Sequence, residues 1–366
     1  MIKQILLGGL VAVLGAILCN VLWFLDLNKR VYNHKPGKCR LVDGPLDGSE
    51  DIEYIESEGL AFITSGIFYM HPRPGVEGKI FLYDFKNPAA KYQTKELKII
   101  GKPGNFQAHG ITSWVDEKGE IRLYVVSHHS PQFTHSIEAF DFNKKDQTLK
   151  HVKTFTHQNF IRPNDLHAVG KDKFVFTNDG TAQTGGMNAL EMFMGLKAGS
   201  VGYFDGKDAH WLVEADRSPN GIWVDRKRNT LFYASPNGEF IRVMKLSDDF
   251  KSVTPITQVD LLTSPDNLYM DKNGDLWTAG HPVMSKLTNL DACSHRPAPG
   301  TERGPSQVLR ISFSKDYQTH EVTEPYTDDG RELCCSSVAV HDSKGNMLIG
   351  SVAAELLHCE YMVETI

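Results

Sequence analysis

The chain has 366 residues, 41% of them hydrophobic and 23% charged, with a formal net charge of −6. That length holds one large domain or two ordinary ones, and the composition is that of a folded globular protein rather than a disordered one. No Lys/Arg run interleaves with aromatic residues, which excludes a nucleic-acid partner.

The N-terminus is a separate element. From Ile5 to Leu25 there is no charge, and Asn20 is the one strongly polar side chain. A helix of about 20 residues, at about 1.5 Å each, matches the hydrocarbon core of a bilayer. Trp23 and Phe24 fall where an aromatic belt would lie. A cleaved signal peptide is the competing reading. The run exceeds an ordinary signal-peptide core and no A-x-A site follows it, so an uncleaved transmembrane anchor over residues 1–30 is favoured. Lys3 alone precedes the run, whereas Lys29, Arg30, Lys35, Lys38 and Arg40 follow it. The positive-inside rule would leave residues 31–366 in the cytosol, but it carries little weight for a large translocated domain. The cysteine and cation arguments below favour a single-pass membrane protein whose C-terminal domain is lumenal or extracellular.

After Cys39, short apolar or alternating runs recur between Gly, Asn and Asp turns. They include Lys79–Asp84, Ile121–Val126, Phe174–Thr177, Thr230–Ala234, Asp275–Ala279 and Asn346–Gly350, all read as strands. Sustained helical periodicity is nearly absent, which argues against an alternating βαβ design. The runs repeat as units of strand, polar turn and strand: Gly110–Val125, Gly221–Ala234, Asn267–Ala279 and Ser337–Gly350, with weaker copies near Gly59 and Leu166. A spacing of roughly 50–60 residues is that of four-stranded propeller blades, and about six fit after Cys39. A β-sandwich is the alternative, but it leaves the repeat unexplained. One helix is predicted within the strands, over Met187–Leu196, as either a surface connector or a lid or membrane-contact element.

Six cysteines are present and no C-x-x-C pair, which argues against a zinc ribbon. Cys39 and Cys359 bracket nearly the whole soluble part. A propeller brings its two ends together, so a Cys39–Cys359 disulfide would lock the last blade. It would restrict the unfolded chain by about 5 kcal/mol in the chain-entropy model and would require an oxidising compartment.

Acidic and amide side chains come in pairs near the starts of apolar runs: Glu50-Asp51, Asn164-Asp165, Asn178-Asp179 and Asp266-Asn267, with Asn220-Gly221 adding one amide. Oxygen-only donors suit a hard cation, and calcium takes about six to eight of them. Adjacent residues in extended chain point opposite ways, so one pair can serve two ions. Singly, such pairs are ordinary turn residues; in register with blades they read as a metal site. His109 and His128 lie in similar settings, where a histidine near a metal could take a proton from water. A serine hydrolase is disfavoured, because Ala198-Gly199-Ser200-Val201-Gly202 lacks both the leading glycine and the strand–turn–helix frame.

Taken in order, Gly48-Ser49-Glu50-Asp51, Gly59–Ile63, His109-Gly110-Ile111, Pro163-Asn164-Asp165, Thr177-Asn178-Asp179, Asn220-Gly221-Ile222, Asp266-Asn267, Gly280-His281-Pro282 and Cys359-Glu360 resemble the serum paraoxonase/arylesterase family over nearly the whole chain. The resemblance implies a six-bladed β-propeller with two calcium ions in a central tunnel. It implies that Glu50, Asn164, Asn220, Asp266 and Asn267 hold a catalytic calcium, and that Asp51, Asp165 and the carbonyl of Ile111 hold a structural one. His109 and His128 match a catalytic dyad, Asp179 a further polar site residue, and Cys39–Cys359 the family disulfide. The activity implied is calcium-dependent hydrolysis of lactones and aryl esters. The alternative is a membrane-anchored assembly factor for ion-channel subunits, as some animal members of the family are thought to be. The chain departs from the family at Gly280, where a free cysteine is usual, and at Gly180, where histidine is common. It also departs in a shortened loop after Tyr69, at Cys334-Cys335 and in the segment 295–307. These changes bear on the cavity wall, and hence on the choice of substrate, more than on metal ligands.

Overall fold

Consecutive apolar side chains, which point alternately to opposite sides of an extended chain, give the central runs after Cys39 two packing faces. Such strands bury both faces only when sheets stack on one another. The computed structural model describes residues 2–67, 75–129, 133–287, 290–293, 301–342 and 344–361. The loop after Tyr69 and residues 295–300 of the segment 295–307 lie outside the described residues.

The strands form six antiparallel sheets arranged as the blades of a propeller. The inner strands are Ile52–Ile55, Ala108–Val115, Pro163–Gly170, Ile222–Asp225, Ser264–Met270 and Ser336–His341, and each abuts the next around the axis. The four units of strand, turn and strand legible in the sequence are the two innermost strands of blades two, four, five and six. Blade two carries a fifth strand, Lys98–Ile100, which runs parallel to Thr148–Phe155.

Blade six is built from both ends of the chain. Its outermost strand, Cys39–Val42, pairs antiparallel with Leu356–Glu360, and Cys39 stands opposite Cys359, to which it is disulfide-bonded. The propeller ring therefore closes by backbone ladder and covalent bond together. Large buried rings join neighbouring blades: Phe62 meets Phe142 with centroids 4.9 Å apart, and Trp223 meets Tyr269 at 5.6 Å. Tyr54, Tyr269, Trp223 and His167 come from four inner strands and form one chain of ring contacts across them.

Two helices stand apart from the sheets. The first, α1 (Ile2–Phe24), is apolar and long enough to cross a membrane, and exposes Leu6, Leu10, Leu14, Leu18 and Leu22. The second, α2 (Gly185–Phe193), begins two residues before the predicted helix because Thr184 caps it, accepting from the Met187 N–H at 3.3 Å. The turn after it carries Gly195 at φ +59°, a left-handed conformation that glycine adopts readily. The lower end of α1 is tied down at several points. Asn20 Nδ2 donates to the Phe193 carbonyl (3.0 Å), Phe24 meets the Phe193 ring edge-on at 6.0 Å, and the Met284 N–H donates to Asp26 Oδ2 (3.1 Å). Lys29 bridges Asp26 (2.7 Å) and Glu239 (2.8 Å).

The closing strand sets an acid limit on stability. His358 is buried beside Tyr83 and Tyr92, and burial, with the Lys91 charge behind it, pushes its pKa down to about 4. Its folded pKa lies below its unfolded one, so the unfolded chain binds the extra proton between about pH 6.5 and 4 and stability falls as pH drops through that window. The full shift corresponds to about 3 kcal/mol. Thermal denaturation of His358→Leu should show a shallower loss of stability from pH 7 to 4.5 than the parent; an identical slope would assign the acid loss elsewhere.

Candidate functional site

The inner strands are irregular at their starts. Pairing with the second strand of the blade shifts register between Ala108 and Ile111, Pro163 and Leu166, Pro265 and Leu268, and Ser336 and Val338. A bulge of this kind re-aims side chains and frees backbone groups from the ladder. The residues inside these bulges are His109-Gly110, Asn164-Asp165, Asp266-Asn267 and Ser337. Glu50 and Asn220 occupy the corresponding place before the inner strands of blades one and four. Gly110 allows the close approach this needs, since a Cβ there would lie 2.5 Å from the Asn164 carbonyl oxygen.

The structure gathers most of the predicted residues into two sets of contacts. In one, Asp51 Oδ2 accepts from the Ile111 N–H (2.8 Å) and Asp165 Oδ2 from the Ile222 N–H (2.8 Å), so each carboxylate clasps the following blade. Both are buried and their pKa values are raised: Asp51 by burial, then by the charges of Asp165 and Glu50, and Asp165 by burial, then by Glu50. In the other, Asn267 Nδ2 donates to Glu50 Oε1 (2.8 Å) and to the Glu50 carbonyl (3.0 Å), and Ser337 Oγ donates to that same carbonyl (2.6 Å). His109 Nε2 lies 3.5 Å from Glu50 Oε1. Asn164 Nδ2 donates to Asp179 Oδ2 (3.4 Å). Asp266 Oδ2 meets His281 Nε2 at 3.1 Å; burial raises the Asp266 pKa while the His281 bond and charge hold it down. Asn220 is held through its backbone, its carbonyl accepting from Thr177 Oγ1 (2.7 Å).

Four oxygens of this set are buried without a hydrogen-bond partner: Glu50 Oε2, Asn164 Oδ1, Asn220 Oδ1 and Asn267 Oδ1. The amide orientations are not arbitrary, because the Nδ2 atoms of Asn164 and Asn267 are already committed to Asp179 and Glu50. Among the described residues, Glu50, Asp51 and Asp165 form no ion pair with Lys or Arg. A buried carboxylate without a counter-charge, beside amide oxygens without donors, costs several kcal/mol unless a cation compensates it. Carboxylate and amide oxygens with no sulfur or nitrogen among them fit a hard divalent cation.

The two predicted histidines are in contact, His109 Nδ1 to His128 Nε2 at 2.8 Å. Burial pulls His109 down, but Glu50, through its charge and hydrogen bond, and then Asp179 and Asp266 raise it overall. Burial and the neighbouring His109 push His128 well below the ordinary range.

Sequence reasoning assigned no role to several residues of this site. Arg162 is buried, pairs with Asp179, lies 3.4 Å from Glu191 of α2 and donates to the Ala182 carbonyl (3.2 Å). A side chain at 180 would collide with Arg162 and Glu191, which accounts for Gly180. His281 belongs to the Gly280-His281-Pro282 segment, whose only signal was the resemblance. Cys334 is disulfide-bonded to Cys293, and the Cys335 thiol, pushed up to about 12 by burial, lies 3.0 Å from Cys293 Sγ. Ser336, next in the chain, donates to the Gly280 carbonyl (3.1 Å).

The arylesterase family model matches residues 18–361. The chain is 30% identical to mechanosensory abnormality protein 6 of Caenorhabditis elegans, over 98% of this chain and 96% of that one. It is 34% identical to serum paraoxonase/arylesterase 2 of Gallus gallus, over 88% of both. A gluconolactonase of Xanthomonas campestris superposes with a TM-score of 0.51 at 14% identity, covering 91% of this chain and 94% of that one, which reflects the shared fold. A family match that runs from inside α1 to the last strand of the closing blade, with relatives above 30% identity over most of their length, establishes that the chain belongs to the arylesterase family, that of the serum paraoxonases.

Proposed function

We propose that the chain is a calcium-dependent hydrolase of lactones and aryl esters, held on the lumenal or extracellular face of a membrane by α1. The observation that carries this reading is the set of four buried, unpartnered oxygens on Glu50, Asn164, Asn220 and Asn267. With Asp266 they would hold one calcium, and Asp51, Asp165 and the Ile111 carbonyl would hold a second, structural one. When bound, the first ion would polarise the scissile carbonyl and stabilise the charge that develops on its oxygen.

The rest of the chemistry falls to the chain itself. His109 keeps Nδ1 on His128 and turns Nε2 toward Glu50, so Nε2 is the nitrogen that would take a proton from the attacking water. Asp179, gripped by Arg162, orients the Asn164 amide, and His281 orients Asp266. These are positioning roles.

Membrane attachment rests on α1, whose apolar face is exposed along its length, and on the Met187, Leu190, Met194 and Leu196 side chains exposed on and just after α2. Two disulfides favour the oxidising side of the membrane over the cytosol. A second reading, an assembly factor for membrane channel subunits, is favoured by one observation: the match to a protein named for a mechanosensory abnormality covers 98% of the chain, α1 included. Co-precipitation with channel subunits that survives His109→Gln would support that role beside or in place of hydrolysis.

Two results are expected. Chelation of calcium, or Asp266→Ala, should abolish hydrolysis of phenyl acetate and of lactones, and added calcium should raise the melting temperature of the parent but raise that of Asp266→Ala less. Full activity after both treatments would overturn the metal reading. His109→Gln should lower kcat by about a hundredfold or more with KM little changed; an unchanged kcat would remove the histidine base and leave the metal.

A further inference from the structure

The His109–His128 contact does not end at His128. His128 lies directly opposite His135 in the pairing of strands Ile121–His129 and Thr134–Asn143, and His128 Nδ1 meets His135 Nδ1 at 2.8 Å. Ring centroids are 5.0 Å apart in the first pair and 4.9 Å in the second. Exposure rises outward from the middle ring: His128 is fully buried and His135 half-buried. The adjacent His129 is engaged elsewhere, with Nε2 on Ser136 Oγ (2.8 Å) and Nδ1 near the Asn105 carbonyl (3.3 Å).

Resting on the reading of His109 as the base, we infer that His135 is the outer member of a three-imidazole relay that carries the proton taken at His109 out of the tunnel to solvent. A neutral imidazole holds one N–H and one acceptor nitrogen. With His109 and His128 both carrying Nδ1–H, the chain is aligned: His109 donates to His128 Nε2, and His128 donates to His135 Nδ1. As the water oxygen bonds to the scissile carbonyl carbon, one water O–H bond breaks and that proton forms a new N–H bond at His109 Nε2. The His109 Nδ1–H bond breaks as one forms at His128 Nε2, and the His128 Nδ1–H bond breaks as one forms at His135 Nδ1. His135, half-buried at the outer end, then gives up its Nε2 proton. One proton leaves the site, and each ring ends neutral with its tautomer exchanged. Burial keeps His128 and His135 in the neutral form this requires, with His135 pushed down to about 4 and His128 well below its ordinary value. His135 does not touch substrate, so it acts through His128.

The test uses the full chain with four proteins: parent, His109→Gln, His135→Ala and His135→Gln. The alanine leaves space for a free imidazole; the glutamine retains a hydrogen bond to His128 but cannot relay a proton. Both changes at 135 should lower kcat about tenfold, with KM and the calcium-induced rise in melting temperature unchanged. Millimolar imidazole should restore His135→Ala in a saturable way, and sodium chloride at equal ionic strength should not; a merely structural role would give no such rescue. The relay is overturned if His135→Ala and His135→Gln keep the parental kcat, or if the lost rate is not recovered by imidazole. If His109→Gln is inactive in that case, the base stands without the relay; if His109→Gln is also fully active, the base itself has failed.

Discussion

Glu50, Asp51, Asp165 and Asp266 are all buried where the six inner strands meet. Water would solvate these carboxylates; the blade starts instead surround them with backbone N–H groups, amides and one another. The N–H donors of Ile52, Ile111, Leu166 and Ile222 compensate part of the cost, and two of them, Ile111 and Ile222, also stitch blade one to two and three to four. The remainder falls on oxygens that the protein leaves without donors. The axis is therefore a polar interior in which buried carboxylates and donor-less amide oxygens face one another without a Lys or Arg counter-charge among the described residues.

Closure of the ring is what makes such an interior tolerable. An open stack of blades could splay and let each carboxylate reach solvent. Pairing Cys39–Val42 with Leu356–Glu360, and bonding Cys39 to Cys359, removes that escape over a sequence separation of 320 residues. Aromatic contacts between blades then set the angle at which inner strands converge, and the bulges at their starts turn consecutive side chains toward the same axis rather than to opposite faces of a sheet.

The architecture was legible because its signals are local. Strand, turn and strand recur with Asp, Asn and Gly in the turns, and each such unit is the inner half of a blade. The ligand candidates were legible for a related reason: Asn164-Asp165 and Asp266-Asn267 are polar pairs immediately before apolar runs. What stayed hidden depends on contacts across blades. Arg162 looks like any loop arginine until Asp179 and Glu191 fold onto it. His135 looks like a strand-end polar residue until register sets it opposite His128. Three cysteines in one cluster, Cys293, Cys334 and Cys335, require knowing that residue 293 returns to the start of blade six. The limits of α2 shifted because a threonine cap outranks apolar spacing in fixing where a helix begins.

The same dependence on distant contacts links the apolar helix α1 to the site. Asn20, the one strongly polar side chain in the apolar run, donates to the Phe193 carbonyl at the end of α2. Glu191 of α2 lies against Arg162, Arg162 holds Asp179, and Asp179 holds the amide of Asn164. Four contacts thus connect a helix that exposes an apolar face to the orientation of an oxygen in the tunnel. A helix serving only as a tether would need none of them: a flexible link after Phe24 would suffice. Instead Asp26 and Lys29 fasten the chain beyond Phe24 to Met284 and Glu239, within a few residues of His281 on one side and on the rim of blade four on the other. The helix therefore fixes how the tunnel sits relative to whatever covers its apolar face, and the polar core and the apolar helix are parts of one packed structure.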